Sequence, residues 1–317
     1  MSLKVFTAED DQFHTPSDDP WFTETCWFSF HVPERKMSGW LYGFLRPNLG
    51  INTSSVFIYD DSCTGSPWTA RYYHMQQAHP EPPVRDLTDY TFPVGYRVKV
   101  IKPAMDYHLT FDKPGVIELD MVFSAIHPAV PFQKGAFVHS MHYDQIGRVR
   151  GTILLGDERI EVDCCSIRDR SWGPRTDVRP PTFDRIAYDY AGNLQDSGFC
   201  IFADQHEFGE GGTSDLTYGF WLNDGKLANL VSGTRTCERD PKELWVNRVQ
   251  IDAVDEFGVQ HQAIGRSVSH FLWPPSRWLT STSFIEWAVD GQQAWGEDQD
   301  LWQYDQWIAA WRARNVR

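Results

Sequence analysis

Apolar and polar positions along this chain alternate in short runs, and few of the runs carry the three-and-four spacing of a helix. Residues 21–32 are the clearest case: Trp, Phe, Thr and Val dominate with partial alternation, which predicts a strand. On such a strand Phe22, Glu24, Cys26 and Phe28 share one face, and Trp21, Thr23, Thr25 and Trp27 the other. Strand-like runs follow at 39–46, 54–59, 69–76, 96–102, 107–111 and 116–125, then at 137–143, 148–155 and 158–167. Turn formers separate them, among them Pro47-Asn48, Asp60-Asp61-Ser62, Pro80-Glu81-Pro82-Pro83 and Lys113-Pro114-Gly115. Gly156-Asp157 joins the last two runs as a hairpin pair.

A polar, proline-rich segment at 176–181 reads as a crossover, and strands resume at 184–190, 198–204, 217–222, 227–236, 243–254, 260–269 and 281–289. Only the end changes period. Leu301, Tyr304, Trp307, Ile308 and Trp311 recur at threes and fours, one face of a short helix with Arg312 and Arg314 near its C-terminus, placed to cap a barrel end. Short strands at regular spacing with turns between them predict an all-β antiparallel sandwich or barrel. The glycine-rich loop at 207–213 follows no βαβ unit, so it reads as a surface loop or pocket lid and not as a phosphate cradle.

Composition narrows the partners. The formal net charge is -14, which repels nucleic acid and anionic membranes over most of the surface. Aromatics are 15% of the residues, with 14 Trp, 12 Tyr and 20 Phe, enough to line an apolar cavity as well as fill a core. The six cysteines form no CxxC and no zinc-like grouping with His, so they read as small buried apolar groups and no metal is expected. The first residues lack the apolar run of a secretory signal, and no stretch approaches the ~20 apolar residues of a membrane span. A cytoplasmic protein is the expectation. Edge strands and the terminal helix could each form a homodimer contact.

The densest chemistry lies at Arg168-Asp169-Arg170-Ser171-Trp172-Gly173-Pro174-Arg175. Gly weakens a strand interior and Pro lacks a donor, so this stretch is expected at a strand end, turning out of one unit and into the next. Two readings stand. It could be a structural corner with Asp169 neutralised by Arg168, Arg170 and Arg175, or it could be a proton-transfer centre. Glu24 sits among apolar neighbours on its strand and needs a partner, for which an arginine of this stretch is a natural choice. His139 and His142, three apart on a strand, face opposite ways and do not share a metal.

The stretches 21–28, 142–149 and 168–175 together resemble the carotenoid 1,2-hydratase (hydroxyneurosporene synthase) superfamily, in its branch with an Asp-Arg-Ser-Trp-Gly motif. The resemblance implies two consecutive lipocalin-like β-barrel units, at 1–175 and 176–317, with an apolar ligand near their junction. It also implies hydratases, cyclases or isomerases acting on apolar natural products, and with no nucleotide, haem or metal signature in the sequence no cofactor is expected. The sequence departs from the carotenoid enzymes at the motif itself, with Arg-Ser-Trp-Gly where a His-Asn-Phe-Gly type of core is expected, which points away from carotenoids.

Hydrating or isomerising a double bond needs a proton donor, a dry pocket and stabilisation of developing charge. A carboxyl in an apolar site has its pKa raised from roughly 4 toward neutrality and becomes a usable acid. Asp169 is the first candidate and Glu24 the second. If the arginines hold Asp169 ionised, it would instead orient His142 as base, with Glu24 or Asp204 as acid. Trp172 could face a developing cation, a contact worth ~0.5 to 2 kcal/mol. Arg175, His139, Tyr188 and Tyr190 are candidate substrate contacts. The expected function is acid/base catalysis on a double bond of an apolar terpenoid, steroid-like or polyketide molecule; the alternative is a non-catalytic carrier of such a molecule.

Overall fold

Among the described residues the alternation is realised as two antiparallel sheets, with one α-helix at the end. The computed structural model describes residues 6–80, 86–132, 140–175, 185–204, 211–275 and 278–315. The first, eleven-stranded sheet contains β1 (Phe22–Val32), β2 (Met37–Arg46), β3 (Ile51–Tyr59), β4 (Tyr72–Pro80), β5 (Asp89–Thr91), β6 (Arg97–Lys102), β7 (Asp106–Lys113), β8 (Ile117–Ala125), β9 (Val130–Phe132), β10 (Met141–Leu155) and β11 (Glu158–Pro174). In space it runs β4-β3-β2-β1-β11-β10-β8-β7-β6-β5, with β9 beside β10. The second sheet contains β12 (Arg185–Gly192), β13 (Gly198–Asp204), β14 (Gly211–Asn223), β15 (Lys226–Arg239), β16 (Val246–Asp255), β17 (Gln260–Trp273), β18 (Trp278–Val289) and β19 (Gln292–Gln303), and closes as a barrel. Helix α1 (Tyr304–Asn315) buries Trp307 against Leu244, Leu279 and Trp302, capping the barrel as its spacing suggested.

The period of two divides the apolar residues among three cores. Phe28 and Phe30 of β1 enter the space enclosed by the curled first sheet, with Leu41, Val56, Leu109, Leu119 and Val149. The opposite face of the same strands carries Trp27, Trp40, Phe57, Ile146 and Ile167, and meets Tyr188, Tyr190, Cys200, Phe202, Phe220 and Phe284 on the outside of the barrel. Phe199, Ile201, Trp221, Ile251 and Trp287 fill the barrel itself. The middle layer joins the two sheets. Each aromatic buried there removes roughly 150–250 Å² from water, an upper bound of about 4–6 kcal/mol. The approach is close enough to require glycine at 192, where a Cβ would fall 2.4 Å from Cys165 Sγ.

Three local expectations change. Residues 144–147, set between two runs in the sequence, continue β10 without a break. The stretch 168–174 is no corner: β11 runs through it, pairing Asp169 with Trp27 and Pro174 with Phe22. Gly173 accommodates the distortion at φ 132°, and Pro174 lies beyond the first β10 partner, Met141 opposite Trp172, so its ring displaces no bond on that side. Strand β19 has no counterpart among the sequence-read runs, because Gly296-Glu297-Asp298-Gln299-Asp300 looks too acidic to be buried; Leu301 belongs to it and not to the helix. His139, the crossover at 176–181 and positions 207–210 of the glycine-rich loop lie outside the described residues. All six cysteines are free, five of them buried. No helix among the described residues is long and apolar enough to cross a membrane.

Candidate active site at the junction of the two sheets

Strand alternation splits the central stretch into two sets of side chains. Arg168, Arg170 and Trp172 point into the first sheet's enclosed space. Arg168 donates to Tyr143 Oη (2.7 Å) and Gln145 Oε1 (2.8 Å) and lies 4.0 Å over the Tyr107 ring. Arg170 donates to Glu24 Oε2 (2.7 Å) and to the Asp10 carbonyl (2.8 Å), and Trp172 stacks on His14 at 3.8 Å. Glu24 has therefore found its arginine, and with Trp172 it fastens the N-terminal segment across the sheet. Neither faces Asp169.

Ile167, Asp169 and Ser171 point the other way, toward the barrel. Asp169 is cross-strand partner of Trp27 on β1 and of Asp144 on β10. His142, two residues before Asp144, shares its face. Its Nε2 lies 3.2 and 3.1 Å from the two Asp144 oxygens, and Tyr188 of β12 donates to Asp144 Oδ1 at 2.8 Å. Donor atoms of His142, Asp144 and Asp169 all lie within 4.8 Å of one another. The hydrogen bonds tie His142 and Asp144 together and leave Asp169 Oδ1 open beside them, an arrangement suited to moving a proton. Aromatic edges wall it: Phe202 lies 5.6 Å and Phe132 6.1 Å from the His142 ring, and Trp27 lies 5.9 Å from Tyr188.

Burial raises the Asp169 carboxyl to about 6, with the like charge of Asp144 adding to it, and the nearby His142 and Arg175 only partly offset the rise. Arg168 contributes least of the causes acting on it, since neighbouring positions on a strand face opposite ways. The His142 imidazole is opposed by burial, yet Asp144 raises it above its ordinary value. Asp169 Oδ1 is enclosed and accepts no hydrogen bond. Arg175 donates to Ser171 Oγ, which also meets Thr25 Oγ1 at 2.6 Å. The structure thus brings together Asp169, His142, Arg175 and Tyr188. Asp204 closes β13 on the face that carries Phe202, one pleat further along.

Tyr190 belongs to a second polar group in the same layer that the sequence did not reveal. Glu297 of β19 accepts hydrogen bonds from Trp40 Nε1 (3.0 and 2.8 Å), Tyr59 Oη (3.1 Å) and Ser38 Oγ. Burial pushes its carboxyl up to about 7. His31, which burial lowers to about 3, contacts Ser38 Oγ and Ser166 Oγ, each at 3.1 Å, and Tyr190 Oη at 3.2 Å. Asp189, between the two tyrosines, turns inward to Arg235 (2.6 Å), which also pairs with Asp298. Of the missed residues, Asp144 had a signal: it stands at i+2 from His142 in a strand-like context. Glu297 had none, because its partners come from β2 and β3.

Fold and site define a class: a lipocalin-like all-β protein of two apposed sheets with titratable groups buried in the aromatic layer between them. The chain belongs to the family described as domain of unknown function DUF7064, whose model matches residues 7–299. Its fold is that of an AttH-type protein of Nitrosomonas europaea (TM-score 0.68, 13% identity, 96% of this chain and 98% of that one). It is shared by kievitone hydratase of Nectria haematococca (0.58, 10%, 97% and 95%) and by CghA solved with Sch210972 (0.57, 11%, 89% and 88%). No curated protein matches the sequence.

Proposed function

We propose that the protein is an acid/base enzyme, needing no cofactor, that adds or removes water at, or isomerises, a double bond of an apolar terpenoid, steroid-like or polyketide molecule. The observation that carries this reading is the pairing of Asp169 with His142 in an aromatic layer, with Asp144 and Tyr188 fixing the imidazole. Asp169 near 6 and His142 raised above it hold one mobile proton between them, and near neutral pH that proton rests on His142. His142 then acts as donor and Asp169 as acceptor, the reverse of the order that the sequence suggested. Solved structures with this fold include a hydratase, which is consistent with the reading. A carrier would need no titratable pair in its ligand layer.

The test is to incubate the protein in deuterated water with pools of apolar alkenes extracted from the cells that make it, reading label uptake by mass spectrometry. Wild-type protein is expected to label at least one compound. Asp169→Asn and His142→Gln should each slow labelling by about 10²-fold or more, the usual size of a general acid or base. Wild-type rates in both variants would overturn the assignment.

A further inference from the structure

The pair Asp169 and His142 leaves one buried donor beside it unused. Trp27 faces Asp169 directly across the β1–β11 ladder and is 2% exposed, yet its indole Nε1–H has no hydrogen-bond partner. Its three ring neighbours with polar atoms make their hydrogen bonds to other groups. Tyr188 donates to Asp144, Trp40 to Glu297, and Tyr190 Oη meets Ser29 Oγ at 2.8 Å, while the three rings meet Trp27 edge-on at 5.9, 5.0 and 5.9 Å. Leaving a buried N–H unmatched is costly, because the group gives up its hydrogen bond to water and gains none in return. A buried acceptor, Asp169 Oδ1, is unmatched on the same face. Such a donor next to a proton-transfer pair is the arrangement that stabilises charge developing on a substrate oxygen.

We infer that Trp27 Nε1–H holds the carbonyl oxygen of the substrate, and that the double bond acted on is conjugated to that carbonyl, so the substrate class is an apolar α,β-unsaturated carbonyl compound. This rests on the reading of Asp169 and His142 as the proton-transfer pair. An indole only donates, so its partner must be an acceptor. A plain hydrocarbon alkene offers none, and protonating it demands a stronger acid than an imidazolium. In the hydration direction, water forms its C–O bond to the β carbon and gives its proton to Asp169. The π pair of the double bond shifts to join the α and carbonyl carbons, and the carbonyl π pair moves onto the oxygen, where the Trp27 N–H meets the charge. The enolate then collapses, its α carbon takes the proton of His142, and the carbonyl is restored. One water has been added, and the proton gained by Asp169 passes to His142 to reset the pair. Dehydration is the reverse.

The experiment uses two probes of nearly the same shape, 2-acetylnaphthalene and 2-isopropenylnaphthalene, which differ by C=O against C=CH2. Binding to the full chain is measured by naphthalene fluorescence, and the carbonyl stretch of bound 2-acetylnaphthalene by infrared difference spectra. Wild-type protein should prefer the ketone by roughly 5- to 100-fold, with the stretch lowered relative to the probe in an apolar solvent. Trp27→Phe should bring the preference close to unity and return the stretch to its apolar-solvent position. If that variant does not fold, the wild-type stretch decides: an unshifted carbonyl overturns the inference. It is overturned equally if the preference is absent, if it survives in Trp27→Phe, or if neither probe binds. Asp169→Asn separates this from the proton-transfer reading, because it should keep the preference while losing turnover. Undiminished turnover in Asp169→Asn would sink the pair and leave the Trp27 contact standing.

Discussion

The two faces of β11 carry similar residues to opposite ends. On the enclosed side Arg170 and Glu24 are matched at 2.7 Å and fasten the N-terminal segment; on the barrel side Asp169 keeps a free oxygen next to an imidazole held by Asp144. Paired charges settle structure, whereas a desolvated group without a partner keeps its proton within reach of neutral pH. Within one short stretch, period-two alternation assigns one set of side chains to holding the fold and the other to chemistry.

The largest way to break this contrast is on the enclosed side. Arg170→Ala leaves Glu24 buried without its cation and should lower unfolding free energy by about 3–5 kcal/mol in urea titrations. Asp169→Asn removes a poised group instead of a paired one and should shift it by about 1 kcal/mol or less. Equal losses in the two variants would erase the distinction.

Glu297 extends the comparison to the seam between the sheets. Its folded carboxyl, at about 7, lies above the ordinary 4.5, so the fold favours the protonated form. That contribution is fully present below pH 4.5 and is lost as pH rises through 7, about 3 kcal/mol in all. Glu297→Gln, which cannot ionise, should flatten the stability curve over that window, as read by thermal melts at stepped pH. An unchanged slope would show that the seam does not titrate.

The finest test concerns the imidazole. For a compound that takes up label, kcat/KM should rise as Asp169 ionises near pH 6 and fall as His142 loses its proton at higher pH. Asp144→Asn removes a charge that raises both His142 and Asp169, so the falling limb should move to lower pH and the rising limb should move down with it. A falling limb that does not move would detach Asp144 from the mechanism.

Much of this protein was legible from its order of residues. Alternation located most strands, the change of period at Trp307 and Trp311 located the helix, and Glu24 in an apolar strand announced a buried partner. Those features are local, because burial on one face of a strand or helix is written at fixed spacing along the chain. Which face of β11 meets the barrel was not written there. Asp169 was expected among arginines because neighbours in sequence look like neighbours in space, and the pleat puts them on opposite sides. Nor could the sequence bring Glu297 to Ser38, Trp40 and Tyr59, or leave the Trp27 indole without a partner. Those facts depend on how two sheets, each complete in its own hydrogen bonds, press their outer faces together, and only tertiary packing decides that.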